Sequence, residues 1–389
     1  MNDGAVFVSL RNFFAWNGLS RSPIHDCEQI ALFANRRTVL PVLVLLCGAL
    51  VSGPSVAKSK RHAHERAQPP LSADAVNQAE FSPSLKLDRV NPLMLKVEIL
   101  LDRAAVSPGQ IDGKNGENAR KAIAAFQQSR GLDASGKLDP DTWNALKQGF
   151  DQKAIVEYEI SEQDVKGPFA KTIPSGLEKM ARLGRLSYTS ALELLGEKFH
   201  ADPKLLKLLN PGKRFDQAGT SILVPKVGEH DLSGRVAKIE VDKSGRDLRA
   251  LGENGELIAF YPASIGSGEK PAPSGQFKVR RIAHNPTYHY DPKFKFKGVH
   301  TNRKLTVAPG PNNPVGLVWI DLTKESYGIH GTPDPERIGK TYSHGCIRLT
   351  NWDALDLAKR VRKGTPVAFV DQPSSLPSGE GPGEAHGRK

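Results

Sequence analysis

The sequence predicts a multidomain protein that combines a small three-helix domain, a small α/β module and a mostly β domain. Its 389 residues exceed what one ordinary hydrophobic core holds, and 36 glycines and 28 prolines indicate many turns and linkers. Apolar residues recur at helical spacing in the segments that follow residue 90, whereas strict alternation begins after Gly234. We therefore expect separate helical and β domains rather than one mixed core.

A leader is expected before these domains. Arg36 and Arg37 stand before an apolar run from Val39 to Val51, and small residues follow up to Ala57. This order is typical of a secretory signal peptide, and the run is shorter than the roughly 20 residues that span a bilayer as a helix. We expect residues 1–57 to be a leader that is cleaved after Ala57, which predicts a periplasmic protein. An uncleaved leader anchored in the inner membrane is the alternative.

Residues 58–90 are basic and then rich in proline and alanine, which predicts a flexible linker.

The next segment, 91–149, has the apolar spacing of three short helices, and Asp139-Pro140 supplies a cap and a first-turn proline for the third. The apolar positions are Val97, Leu100, Leu101 and Ala104, then Ala119, Ile123 and Phe126, then Trp143 and Leu146. The helical segment resembles the peptidoglycan-binding-like domain of bacterial wall enzymes, in Asp112-Gly113, Phe126-Gln127, Gly131-Leu132, Ser135-Gly136 and Trp143 with Leu146. The resemblance implies the helical fold and sugar binding, and a spacer bundle without ligand is the alternative.

Residues 186–228 predict a small α/β module. Two helices are expected, from Ala191 to Phe199 and from Pro203 to Leu209, followed by a strand from Ser221 to Val224. With the stop at Leu209-Asn210-Pro211 and the Ile222-Leu223-Val224-Pro225 ending, this segment resembles a LysM module. The resemblance implies glycan binding.

Alternation with period two predicts a mostly β domain over 235–371. Ala237, Ile239 and Val241 alternate with Lys238, Glu240 and Asp242. Further strands are expected at Leu257 to Ala263, Phe277 to Ile282, Leu317 to Leu322 and Thr365 to Val370. One helix is expected after Thr350, with Asp353 completing a capping box and Trp352, Leu355, Ala358 and Val361 on one face. Residues 372–389 are rich in proline, glycine, serine and glutamate and predict a disordered tail.

The net charge of +12 predicts attraction to an anionic partner: a nucleic acid, a lipid surface or an acidic cell-wall polymer. The chain has no aromatic-rich RNA motif and no zinc-finger spacing, so we expect no nucleic-acid partner. A basic surface that only keeps the protein in solution is the alternative.

The stretch Ser343-His344-Gly345-Cys346, preceded by His330, is the candidate for chemistry. Cleavage of the leader would remove Cys27 and Cys47 and leave Cys346 as a lone thiol in an oxidising compartment. A neighbouring imidazole would raise the reactive thiolate fraction, and backbone N–H groups at Gly345 and Cys346 would face a developing oxyanion. Two other interpretations compete with this nucleophile. A zinc site would lack a fourth ligand, and a buried structural cysteine would stand in an unusually polar, glycine-interrupted sequence.

Residues 235–370 resemble the catalytic domain of the L,D-transpeptidases. Their signature is a histidine, a spacer, then Ser/Thr-His-Gly-Cys, an apolar residue and Arg or Asn, which here reads His330, then Ser343-His344-Gly345-Cys346-Ile347-Arg348. The resemblance implies that Cys346 is the nucleophile, that His330 is its general base and that the Gly331 carbonyl orients the imidazole. It requires no metal and no organic cofactor.

The resemblance also implies secondary roles for five other residues. His344 would shape the pocket or only pack against the turn before Cys346. Gly345 would form that turn. Arg348 would hold a substrate carboxylate, with a surface ion pair as the alternative. Ser343 would contact the substrate or support the turn. Tyr288 would contribute to substrate binding, within an aromatic stretch that includes His284, His289 and Tyr290 and is a candidate lid.

The implied reaction is a two-step acyl transfer between peptidoglycan stem peptides that forms 3,3 cross-links through a thioester on the cysteine. Water as acceptor would make the enzyme an L,D-carboxypeptidase, and a protein amine as acceptor would attach that protein to the wall. A non-catalytic wall-binding protein is the alternative from another class. The basic charge and the two modules predict multivalent contact with peptidoglycan, and membrane contact only through an uncleaved leader.

Overall fold

The computed structural model describes residues 5–6, 71–83, 89–148, 152–228, 234–267, 271–294, 301–343 and 345–371. The predicted signal sequence over 36–57 and the predicted tail over 372–389 lie outside the described residues. Within those ranges, no helix combines the length and the apolar character that a bilayer crossing requires.

The predicted flexible linker over 58–90 is wrong for residues 71–83. Helix α1 (Ala73–Asn77) lies there, capped by the Ser72 side chain, and Val76 is fully buried. The Asn77 side chain donates to the Ile155 carbonyl at 3.0 Å and accepts from the Ala154 and Ile155 N–H groups. The buried Val76 and the hydrogen bonds of Asn77 to strand backbone groups hold this short helix in place. Neither contact produces a periodic pattern in the sequence, so the helix was not predicted.

Three helices form the predicted helical domain: α2 (Pro92–Arg103), α3 (Glu117–Ser129) and α4 (Pro140–Lys147). Asn91 caps α2 by accepting from the Leu93 N–H at 2.8 Å, and Asp139 caps α4 by accepting from the Thr142 N–H at 2.7 Å. Their apolar faces meet in one core that includes Phe126 and Trp143. The three-helix prediction is confirmed.

The α/β module consists of β2 (Ile155–Glu159), α5 (Glu162–Val165), α7 (Ala191–Lys198), α8 (Pro203–Leu209) and β3 (Ser221–Pro225). Helix α6 (Leu177–Met180) lies between α5 and α7 along the chain but packs on the β domain, against the strand Leu305–Val307. Strand β2 pairs antiparallel with β3, from Ile155 opposite Pro225 to Glu159 opposite Ser221. The predicted start at residue 186 is therefore wrong, because it leaves out the strand that satisfies the backbone of β3. The α7 and α8 helices and the closing strand agree with the sequence prediction.

The β domain is built on a nine-stranded sheet in the order β6-β5-β4-β14-β8-β11-β12-β13-β7. The β4–β14 and β12–β13 pairs are parallel and the others antiparallel. The strands are β4 (Lys238–Asp242), β5 (Asp247–Leu251), β6 (Leu257–Pro262), β7 (Ser264–Ile265), β8 (Gly275–His284), β11 (Val318–Leu322), β12 (Gly328–His330), β13 (Ile347–Arg348) and β14 (Pro366–Val370). Helix α9 (Asn351–Arg360) packs on β11 and β12.

A smaller sheet places β9 (Thr287–Tyr290) between β1 (Ala5–Val6) and β10 (Leu305–Val307). Strand β1 runs parallel to β9 and β10 runs antiparallel to it. Short 3-10 turns occur at Pro292–Phe294 and Pro335–Arg337. The mostly β prediction is confirmed.

The helical domain covers the outer face of the strands at one end of the large sheet. Glu240 and Asp242, which alternate with the apolar residues of β4, are both buried. Arg249 on β5 donates to the Gln128 side chain at 2.9 Å, and Phe260 on β6 joins the core of the helical domain. Because the helical domain lies on β5 and β6, Arg249 and Phe260 are buried rather than exposed to solvent.

Helix α9 has half of its predicted capping box. The Thr350 hydroxyl accepts from the Asp353 N–H at 3.1 Å, as expected. The Asp353 carboxylate instead accepts from the Ser107 hydroxyl at 3.1 Å, in the chain segment that follows α2. Burial raises the pKa of Asp353 to about 7, while the hydrogen bonds from Thr350 and Ser107 oppose that rise.

Replacement of Thr350 by alanine should destabilise the β domain by about 1 kcal/mol, because it removes the buried N-cap acceptor of α9. Thr350→Ser, which keeps the hydroxyl, should lose less than half as much. Urea denaturation followed by tryptophan fluorescence on the full chain measures both. Equal stability of wild type and Thr350→Ala would contradict this role.

Candidate active site

The parallel pair β12–β13 brings the main candidates together. Ile329 is the register partner of Ile347, and His330 is the register partner of Arg348. Residues opposite one another in paired strands project from the same face, and alternate residues along a strand share a face. Cys346 precedes β13, and it packs against the cluster that contains Trp319, on which the His330 ring stacks. It therefore lies on the same side of the sheet as His330.

The two faces of this pair differ in their surroundings. Ile329 and Ile347 are fully buried in the main core of the β domain. On the opposite face, Cys346 packs against a second cluster that contains Trp319, Tyr288 and Tyr290. The apolar residues thus anchor the strands from one side and leave the other side to the polar and reactive groups.

His330 is held in a defined orientation. Its Nδ1 lies 2.7 Å from the Gly331 carbonyl oxygen, and its ring stacks on Trp319 at 5.4 Å between centroids. A carbonyl oxygen only accepts hydrogen bonds, so Nδ1 holds the proton and Nε2 is the acceptor of the neutral ring. The imidazole is 4% exposed. The predicted orientation by Gly331 agrees with this geometry.

Burial and the positive charge of Arg348 together lower the pKa of His330 to about 3, although the hydrogen bond to the Gly331 carbonyl opposes them. The imidazole is therefore neutral across the physiological range. A neutral imidazole with an unprotonated Nε2 is the form that accepts a proton from a thiol.

The turn before Cys346 is closed by Ser343. Its hydroxyl donates to the Cys346 carbonyl and accepts from the Gly345 N–H at 3.2 Å. The predicted oxyanion role of the Gly345 N–H therefore does not agree with the structure, because that donor is already engaged. Ser343 is also buried, so its side chain supports the turn rather than a substrate, which was the alternative.

Gly345 adopts φ +107°, a conformation that disfavours side chains. A Cβ at this position would stand 3.2 Å from the ring of Tyr327. The thiol of Cys346 donates to the Ser326 carbonyl at 3.7 Å. His344 lies outside the described residues, so its predicted role stays a prediction.

Arg348 is half-buried and lies close to the thiol. Burial lowers its pKa, whereas Cys346 and Asp334 raise it. Within the described part of the chain, no carboxylate comes within ion-pair distance of its guanidinium. A partly buried guanidinium without a carboxylate partner is suited to bind the carboxylate of a substrate. This favours the predicted substrate contact over the alternative, a surface ion pair.

Two tyrosines flank the thiol. Burial and the nearby Cys346 both raise the pKa of Tyr288 on β9, and the same two causes raise the pKa of Tyr327. Tyr327 was not predicted, because nothing in the local sequence separates it from a surface tyrosine. Tyr290 is buried in the aromatic cluster, and His284 is exposed at the end of β8. The aromatic stretch is therefore part strand and part core rather than a single lid.

The sequence matches two protein families. Residues 237–368 match the YkuD family, described as the L,D-transpeptidase catalytic domain, and residues 91–146 match a peptidoglycan binding domain family. A Bacillus licheniformis protein named as the L,D-transpeptidase YkuD is 35% identical over 181 residues, which cover 46% of this chain and 93% of that protein. Two Bacillus subtilis proteins named as L,D-transpeptidases, YkuD and YqjB, are each 32% identical, and the matches cover 39% of this chain and 76% and 80% of those proteins.

His330 should not titrate between pH 5 and pH 8, because its pKa of about 3 lies below that range. Proton NMR of the ring, assigned with a His330→Gln variant, checks this. The unfolded chain takes up a proton near pH 6.5 that the folded chain takes up only near pH 3. This residue's contribution to stability is therefore present above pH 6.5 and is lost as the pH falls towards 3. A ring titration near pH 6.5 in the folded protein would contradict the burial argument.

Proposed function

The chain belongs to the L,D-transpeptidase family, and on this premise we propose that it joins peptidoglycan stem peptides by 3,3 cross-links through a thioester on Cys346. It is an acyltransferase that acts on peptidoglycan. The observation that supports this proposal is the register of β12 and β13, in which His330 is the partner of Arg348, two residues after Cys346.

In the first step, the Cys346 thiol gives its proton to Nε2 of His330 and the sulfur attacks the carbonyl at the L-centre of diaminopimelate in a donor stem. The tetrahedral intermediate collapses when His330 returns the proton to the leaving amine, and the terminal D-alanine departs. The thioester remains on the sulfur. The bond from Nδ1 to the Gly331 carbonyl keeps the ring in one tautomer and stabilises the transient imidazolium.

In the second step, the amine of an acceptor stem attacks the thioester carbonyl. His330 takes a proton from that amine and gives it to the departing sulfur, which restores the Cys346 thiol. The acyl group ends in a new amide bond. Because one amide exchange becomes two acyl transfers, each barrier is lower than that of the direct exchange.

Arg348 is the proposed binding group for the terminal carboxylate of the donor. Its guanidinium lies beside Cys346 and offers a fork of donors that matches a carboxylate. Tyr288 and Tyr327 would form the walls of the cleft on either side of the thiol.

The remaining modules fit the same substrate. The helical domain matches a peptidoglycan binding domain family, and the net charge of +12 suits an anionic wall polymer. Peptidoglycan lies outside the cytoplasmic membrane, so the proposal includes export by the predicted leader and a periplasmic location.

Wild-type protein incubated with disaccharide-tetrapeptide should give cross-linked dimers detectable by mass spectrometry, and Cys346→Ala should give none. A Ser326→Ala variant, which keeps the Ser326 carbonyl that the thiol contacts, serves as the control and should retain activity. Tripeptide without dimer would indicate water as the acceptor. Equal product from wild type and Cys346→Ala would remove Cys346 from the mechanism, and unmodified substrate with both would favour a protein acceptor or a non-catalytic wall-binding protein.

Replacement of Arg348 by glutamine should raise the KM for the tetrapeptide donor about tenfold or more, because a charge-assisted pair with the carboxylate is lost. The KM of Arg348→Lys should lie between those of wild type and Arg348→Gln, since lysine keeps the charge but not the fork of donors. A donor whose terminal carboxylate is amidated should bind wild type and Arg348→Gln equally well. A KM difference that persists with the amidated donor would assign Arg348 a structural role.

A further inference from the structure

The α/β module contacts the β domain through a side chain that leads towards His330. Glu197, on α7 of the module, accepts a hydrogen bond from Nδ2 of Asn351 at 2.8 Å. Asn351 is the first residue of α9 and is fully buried. Its Nδ2 also donates to the Pro311 carbonyl at 3.1 Å. Both amide hydrogens of Asn351 are thus used, one of them across the interface between the module and the β domain.

The other end of the same amide meets the backbone next to the candidate base. Oδ1 of Asn351 accepts from the Leu317 N–H at 3.1 Å. A Cβ built on Gly331 would lie 2.2 Å from this oxygen, and one built on Gly316 would lie 2.0 Å from it. The asparagine therefore packs directly against two glycines, and any displacement of its side chain changes the space that Gly331 occupies.

Gly331 connects this contact to the chemistry, since its carbonyl accepts the hydrogen bond from Nδ1 of His330. The path from module to base has three links: Glu197 to Asn351, Asn351 to Gly331, and Gly331 to His330. Each link joins groups in direct contact, and the groups in the middle of the path are buried. A base needs its ring held within a small angle of the attack geometry, and small misplacements at an active site reduce rates strongly.

We propose that Glu197 is a positioning residue for His330, so that the α/β module takes part in building the active site. This rests on the proposed function, in which His330 is the general base. A module that served only as a wall tether would need no contact with the residue behind the base. Burial raises the pKa of Glu197 to about 8, and hydrogen bonds from Asn351 and Tyr188 oppose this rise.

Glu193 supplies a matched control. It lies one turn earlier on α7, and its carboxylate accepts from the Asn312 side chain at 2.7 Å across the same interface. The side-chain amide of Asn312 donates to the Ser187 carbonyl and to the Glu193 carboxylate, and neither hydrogen bond involves Gly331. Removal of Glu193 therefore loosens the same interface without removing any of the three links between Glu197 and His330.

The test measures kcat, KM and the alkylation rate of Cys346 by iodoacetamide from pH 5 to pH 9 in the full chain. Glu197→Ala should lower kcat about tenfold or more with KM within about twofold, because the base is misplaced while the substrate still binds. It should also slow alkylation near neutral pH. Glu197→Gln keeps an acceptor for Asn351 and should restore most of both rates. Glu193→Ala should leave both rates within about twofold of wild type, even if its melting temperature falls as much as that of Glu197→Ala.

Equal losses of kcat in Glu197→Ala and Glu193→Ala would overturn the proposal, because the effect would then come from the interface as a whole. An alkylation profile in folded Glu197→Ala that matches wild type at every pH would overturn it as well. The alkylation assay needs no peptidoglycan substrate. A wild-type protein that makes no cross-link would therefore defeat the proposed function, while the alkylation comparison would still decide whether Glu197 positions the base.

Discussion

Strands β12 and β13 lie side by side and run in the same direction, and the arrangement of the active site depends on this pairing. Neighbouring parallel strands cannot be joined by a tight hairpin, so the chain must leave the sheet after His330 and return before Ile347. The intervening loop is held by Asn118 of the helical domain, which donates to the Ile338 carbonyl at 2.9 Å, and by Ser264, which accepts from the Gly339 N–H. The spacer between the histidine and the cysteine motif is thus a consequence of sheet topology.

The three folded parts of the chain share cores instead of meeting only at polar surfaces. Ile99 of α2 and Ile111 lie in the core of the α/β module, and Phe260 of β6 lies in the core of the helical domain. Short bridges add to this, with Val106 beside Phe260 and Ile111 beside Ala201. Burial of apolar surface between parts of a chain favours a fixed arrangement over independent motion. The three parts therefore keep one orientation relative to one another.

Sequence reasoning worked where the signal is local. Helix α4 follows from Asp139-Pro140 and is confirmed, and the prediction of Cys346 as the nucleophile rests on an equally local motif. It failed where the determinant lies far along the chain. Strand β2 is defined by its pairing with Ser221–Pro225, and α1 by one buried valine. Asn351 was predicted only as part of a helix, since its contacts with Glu197, Leu317 and Gly331 come from three separate segments.

The burial of Phe260 and Arg249 against the helical domain has a consequence for how such proteins are assembled from parts. A gene fragment that begins at the first strand of the β domain would encode a sheet whose outer face presents the Phe260 ring and the Arg249 side chain to water. Recombination that transplanted this β domain onto a different partner would need compensating changes on β5 and β6. The β domain of this chain therefore cannot be separated at its sequence boundary without exposing groups that the full chain buries.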